Sequence, residues 1–98
     1  MKEMTTTELN SKLRSGEKVS IIDVREPAEV ATGKIPEAIN ISFRLIEFRL
    51  HELDKQKEYF IICQSGGRSN QAAQILNKYG FRVVNVIGGM QNWEGKVE

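Results

Sequence analysis

The sequence predicts an α/β domain with a mainly parallel sheet flanked by helices. Three observations lead there. Short β-branched runs alternate with helical patterns along the whole chain. Glycines fall where helices should stop. The most apolar run, Tyr59-Phe60-Ile61-Ile62-Cys63, is too short to span a bilayer and reads as a buried central strand.

The elements follow in order. Thr5 and Glu8 form a Thr-x-x-Glu capping box, and Leu9 and Leu13 supply an apolar stripe for a helix over 5–14 that Gly16 stops. Val19-Ser20-Ile21-Ile22-Asp23-Val24 reads as a buried strand. Pro27 suits the first position of a helix, which Gly33 ends. Ile39-Asn40-Ile41 is a short strand. Ser42 is placed to cap a further helix, in which Phe43, Ile46, Leu50 and Leu53 recur at helical spacing. Asp54-Lys55-Gln56-Lys57 is a polar turn before the central strand. Behind Cys63 comes a glycine-bearing loop, Gln64-Ser65-Gly66-Gly67-Arg68. A helix opens at Ser69, with Ala72, Ala73, Leu76 and Tyr79 on one face and Gly80 as a left-handed C-cap. Arg82-Val83-Val84-Asn85-Val86 is the last strand, and Gly88-Gly89 turns into a short segment bearing Met90 and Trp93.

Composition excludes several classes. The 98 residues suit one domain over 1–98, with no linker, repeat or low-complexity segment. Fourteen basic against thirteen acidic residues leave a net charge of +1, which argues against nucleic acid, whose non-specific binding needs a basic excess. The same balance does not suggest a membrane surface or an acidic tail. One cysteine allows no internal disulfide, and one Cys with one His cannot make a structural zinc site. The opening Met1-Lys2-Glu3-Met4-Thr5-Thr6-Thr7 lacks a basic stretch followed by an apolar run, so the chain reads as cytoplasmic.

In parallel α/β sheets ligands bind beyond the carboxyl ends of the strands, and Cys63 sits at one of those ends. A loop with glycines can curl its backbone N–H groups into a nest for an anion, and a helix start adds unpaired N–H groups and the positive end of its dipole. A thiol so placed has its pKa lowered from about 8.5 into roughly the 3.5–7.5 range, making a nucleophile without a neighbouring base. The competing interpretation is a structural cysteine, since free Cys is among the most buried residues. A structural cysteine needs no glycine pair and arginine behind it.

At this point the chain resembles the rhodanese-like family of single-domain sulfurtransferases, from about Met4 to Gly95. Ile21-Ile22-Asp23-Val24-Arg25-Glu26-Pro27 is similar to the family's first signature. Gly33-Lys34-Ile35-Pro36-Glu37-Ala38-Ile39-Asn40-Ile41 is similar to its second, with Lys34 where His is usual and Glu37 where Gly is usual. Cys63-Gln64-Ser65-Gly66-Gly67-Arg68-Ser69 resembles the active-site loop, and Gly88-Gly89-Met90 with Trp93 the C-terminal signature. The resemblance implies a three-layer domain with a central five-stranded sheet. It implies a Cys63 thiolate that takes the outer sulfur of a donor such as thiosulfate or a protein persulfide. Residues 64–69 would surround the resulting persulfide, and an external thiol, or cyanide in the test tube, would remove it. No cofactor beyond this covalent intermediate is implied. The Lys34 and Glu37 departures should touch packing or local charge more than chemistry. The loop reads Cys-x4-Arg, whereas the related phosphatase and arsenate-reductase branches carry Cys-x5-Arg.

Around this centre several residues have two readings. Asp23 and Arg25 are either a support pair bracing the loop or a surface ion pair worth roughly 0–1 kcal/mol. Arg68 either completes the anion field or points outward to a partner protein. Arg44 and Arg49 lie on a segment that the resemblance places beside the cleft, but read first as a solvated helix face; His51 belongs to an exposed helix, and Met90 and Trp93 to the core or a lid. Asp54 is the nearest turn acid that a phosphatase could use. Two rivals to a sulfurtransferase stand: a rhodanese-like module that senses sulfur or docks a partner without turnover, and a small phosphatase or arsenate reductase.

Overall fold

The computed structural model describes residues 1–98. The chain runs β1 (Lys2–Thr5), α1 (Thr6–Arg14), β2 (Ser20–Asp23), α2 (Pro27–Val30), β3 (Ala38–Asn40), β4 (Glu58–Ile62), α3 (Gly67–Lys78) and β5 (Arg82–Ile87). Two 3-10 turns, Phe43–Phe48 and Leu50–Glu52, link β3 to β4, and a third, Met90–Asn92, follows β5. The five strands form one sheet in the order β1-β5-β4-β2-β3, and every pairing is parallel. All carboxyl ends therefore open on the same edge.

Alternation along each strand sends side chains to two covered faces. Ile22, Val24, Tyr59, Ile61, Cys63 and Val83 pack beneath α3 and the Phe43–Phe48 turn, with Ala72, Ala73, Leu76 and Ile46. Ile21, Phe60, Ile62, Val84 and Val86 pack on the other side against Leu9 of α1 and Ile35, with Met90 and Trp93 at the margin. This is the three-layer arrangement expected. No helix is long and apolar enough to cross a membrane.

The capping box forms as read: the Glu8 amide donates to Thr5 Oγ1 at 3.1 Å and the Thr5 amide to Glu8 Oε1 at 2.9 Å. Four differences from the sequence reading have physical causes. The first strand, β1, escaped the residue pattern because Lys2-Glu3-Met4-Thr5 is an edge strand with only Met4 half-buried; backbone bonds to β5 hold it. The helix expected after Ser42 is two 3-10 turns, and the Ser42 side chain accepts no capping hydrogen bond. Phe43 with Ile46, and Leu50 with Leu53, are three apart and stack directly in 3-10 geometry, while Arg49 at φ −121 breaks the run between them. The helix from Pro27 ends at Val30, and tight turns carry the chain on to Gly33 at φ +137. Finally, α3 begins at Gly67 and not Ser69, because Gly66 at φ +118 caps it.

Candidate active site

Cys63 directly follows β4 at the carboxyl end of the central strand and is buried. Its sulfur nonetheless meets polar groups. The Gly66 amide donates to Sγ at 3.0 Å. Ser69 Oγ lies 3.4 Å from Sγ, 2.7 Å from Asn85 Oδ1 and 3.0 Å from the Gly66 carbonyl. A hydroxyl owns one proton. While the thiol is protonated, Ser69 donates to Asn85 and accepts from Cys63; once the thiol ionises, the same hydroxyl can turn its proton to the sulfur. Burial pushes the Cys63 thiol up, but the Ser69 hydroxyl and the amides of Ser69, Gly66 and Ser65 together pull it down further, so its pKa lies below the ordinary thiol value.

The helix start explains why those amides are available. Gly66 is the N-cap of α3 and brings no side chain to satisfy the first-turn N–H groups. Those groups and the positive helix end are left for the sulfur. Behind the loop a second glycine is obligatory. Gly89 sits at φ +63 and ψ −167, and a Cβ there would lie 2.4 Å from the Gln64 carbonyl oxygen and 2.6 Å from that of Cys63. This close approach lets the Met90 amide donate to the Cys63 carbonyl at 2.8 Å and the Gln91 amide to the Gln64 carbonyl at 3.1 Å. With these carbonyls tied toward residues 89–91, the loop's amides are free to turn to the sulfur.

The surrounding charges are paired. Asp23 and Arg25 form a buried ion pair, with Arg25 Nη2 to Asp23 Oδ2 at 2.8 Å and side chains 1% and 3% exposed, which excludes the surface reading. Arg25 also donates to the carbonyls of Glu29 (3.3 Å) and Gly33 (2.8 Å), so it ties α2 and the following turn to the end of β2. Asn40 completes the brace, donating through Nδ2 to the carbonyls of Asp23 and Arg25. Glu29, on α2, then holds Arg68 in a fork, Nη1 to Oε1 at 2.7 Å and Nη2 to Oε2 at 2.8 Å. The guanidinium keeps the Glu29 carboxyl down at about 2, helped by the Glu26 backbone. The chain of contacts from Asp23 through Arg25, α2 and Glu29 thus reaches the loop at Arg68.

Of the loop residues, Ser65, Gly66 and Ser69 act on the sulfur, Gln64 is held by its carbonyl, Gly67 opens α3, and Arg68 faces Glu29. Arg44 pairs with Glu26 at 3.1 Å and Arg49 with its neighbour Glu52. His51 is exposed. Asp54 precedes β4 and so lies at the amino end of the sheet, opposite Cys63. Lys34 Nζ donates to the carbonyls of Ile35, Pro36 and Ala38, and pairs with Glu98, a structural clasp with no contact to Cys63. Glu37 is exposed. No group of three or more His, Cys, Asp or Glu side chains is gathered to hold a metal ion. Three residues with a part in the site were missed by sequence reasoning: Glu29, Asn40 and Asn85. The signal for Asn85 was a single amide in an otherwise β-branched strand, which must find a partner when buried.

Fold and site together define a small parallel α/β protein built around one thiol at a helix start. Comparison with known proteins places it. A family model described as the rhodanese-like domain matches residues 5–96. The Bacillus subtilis protein named "Putative sulfurtransferase YtwF" is 45% identical over 98 residues, covering 100% of this chain and 95% of the relative. A "Sulfurtransferase" of Allochromatium vinosum is 39% identical over 92 residues, covering 93% of this chain and 86% of that one. The crystal structure of SSP1007 from Staphylococcus saprophyticus superposes with a TM-score of 0.94 at 41% identity, covering 100% of this chain and 99% of that chain. The chain belongs to the rhodanese-like domain family.

Proposed function

We propose that this protein is a sulfurtransferase that carries sulfur as a persulfide on Cys63. The observation that carries the reading is the Cys63 sulfur, which accepts the Gly66 amide at a helix start with no side-chain cap. Names borne by its relatives support the class of activity.

The chemistry needs no redox partner. The Cys63 thiolate attacks the outer sulfur of thiosulfate or of a protein persulfide. A new S–S bond forms on Cys63 as the donor's S–S bond breaks, and its electron pair leaves with sulfite or with the donor thiolate. Cys63 then ends in a terminal sulfur bearing one negative charge. An external thiolate, or cyanide in vitro, attacks that terminal sulfur and releases Cys63 as thiolate. Because the chain has one cysteine, the persulfide cannot resolve as an internal disulfide. Preorganised amides offset the charge in both states, each worth about 2.7–4 kcal/mol in well-measured oxyanion sites and less toward the larger sulfur anion.

A phosphatase reading fares worse on two counts. Asp54 lies at the wrong end of the sheet. Glu29, which holds Arg68 of the loop, is ionised down to about pH 2 and has no proton to give a leaving group.

Intact mass after incubation with thiosulfate or an organic persulfide tests the proposal. One added sulfur is expected, removed by a thiol reductant and absent in Cys63→Ala. No gain with any sulfane donor overturns it. Loading without catalytic turnover to any thiol would support the sensing or docking module instead.

A further inference from the structure

We infer that Glu29 is a specificity-determining residue that turns the site away from small dianionic donors and toward donors of lower charge, such as alkyl persulfides. The inference rests on the reading of Cys63 as sulfur carrier and says which donor it takes.

Arg68 is the one charged residue of the segment 64–69. Both of its terminal nitrogens are engaged by the two oxygens of a single carboxylate, at 2.7 and 2.8 Å. The remaining N–H groups can still donate, but the positive charge is cancelled. The other guanidiniums at this end of the sheet are likewise paired, Arg25 with Asp23 at 2.8 Å and Arg44 with Glu26 at 3.1 Å. The thiolate adds a negative charge, and Arg68 is close enough to it to feel it. A dianion such as thiosulfate thus approaches an anionic nucleophile with no unpaired guanidinium beside it. An alkyl persulfide, which carries at most one negative charge, suffers less of this repulsion.

Glu29 is also held in place. Its Oε1 accepts the Glu26 amide at 2.9 Å, and its carbonyl accepts from Arg25 at 3.3 Å. The carboxylate can leave Arg68 neither by protonation in the physiological range nor by a free swing of α2. The fork brings together positions 39 residues apart, so this bias belongs to the fold and not to the loop alone.

Glu29→Gln keeps the shape and removes the charge, and Arg68→Gln does the converse. In Glu29→Gln, the ratio of kcat/KM for thiosulfate to that for an alkyl persulfide should rise about tenfold, the scale of one unit of charge difference at several Å in a partly exposed site. In Arg68→Gln the ratio should fall. A second readout needs no sulfur transfer: the rate of Cys63 alkylation by anionic iodoacetate over that by neutral iodoacetamide, which should shift in the same two directions and flatten at high salt. Unchanged ratios in Glu29→Gln, or a shift of the same sign in both variants, overturn the inference. Alkylation ratios that move in opposite directions, in a protein that no donor loads, leave the charge bias standing and remove the sulfurtransferase reading.

Discussion

Gly89→Ala is the sharpest perturbation of the site because it touches no residue near the reacting sulfur except through backbone. The added Cβ would fall 2.4 Å from the Gln64 oxygen and 2.6 Å from both the Gln64 carbon and the Cys63 oxygen. None of these is the far end of a flexible side chain, so the two segments must separate. Two costs add. Holding a non-glycine residue at φ +63 and ψ −167 costs about 1–3 kcal/mol, since that region belongs almost wholly to glycine. Forcing a methyl into closed space costs a further ~1–3 kcal/mol. The sum, about 2–6 kcal/mol, is a large share of a typical stability of about 5–15 kcal/mol. For a domain of this size, at about 4–8 °C per kcal/mol, it is a fall in Tm of roughly 8–48 °C. Separation also releases the Met90 and Gln91 amides from the Cys63 and Gln64 carbonyls, so the amide ring around the sulfur loosens. Urea unfolding gives the stability, and the pH dependence of iodoacetamide alkylation gives the thiol pKa. Both should move, stability down and the alkylation midpoint up. A variant within about 0.5 kcal/mol of wild type, with an unmoved midpoint, would refute the reasoning.

Further outcomes follow from the same contacts. Ser69→Ala removes the largest of the interactions that pull the Cys63 thiol down, so its alkylation midpoint should rise toward the free-cysteine value of about 8.5 with little change in fold. Arg25→Met leaves Asp23 as an unpaired buried charge and should cost about 3–5 kcal/mol in urea unfolding, whereas Arg25→Met with Asp23→Asn should recover part of it. Glu29 titrates lower folded than unfolded, about 2 against 4.5, so its contribution to stability is present above pH 4.5 and is lost as pH falls toward 2. Acid unfolding of Glu29→Gln should therefore show a shallower loss across that window.

The residues that announced themselves were those whose partners are near in sequence. Thr5 and Glu8 cap each other across one turn, and Gly80 closes α3 against Asn77. Cys63, Gly66 and Ser69 are joined within one strand-loop-helix unit, so the nest was legible from spacing. Glu29 and Arg68 are not: either could have faced solvent, and only the parallel crossover from β2 to β4 sets α2 beside the loop. The Asp23–Arg25 pair was visible, but its burial was not, because burial depends on α2 and Asn40 closing over it. Phe43, Ile46, Leu50 and Leu53 fit an α-helix and a pair of 3-10 turns equally well by periodicity; the Phe43 amide bonded to the Val24 carbonyl at 2.9 Å anchors the tighter geometry.

The pairing of β1 with β5 also bears on how the chain is made. Lys2 lies opposite Val84, so β1 finds its neighbour only after every other strand of this sheet has been synthesised. Parallel sheets with such distant pairings fold slowly, since the long loop must close before any contact rewards it. The nascent polypeptide therefore cannot lock its outer strand early. A pulse of protease during translation should find residues 2–5 cleavable until β5 emerges and shielded soon after.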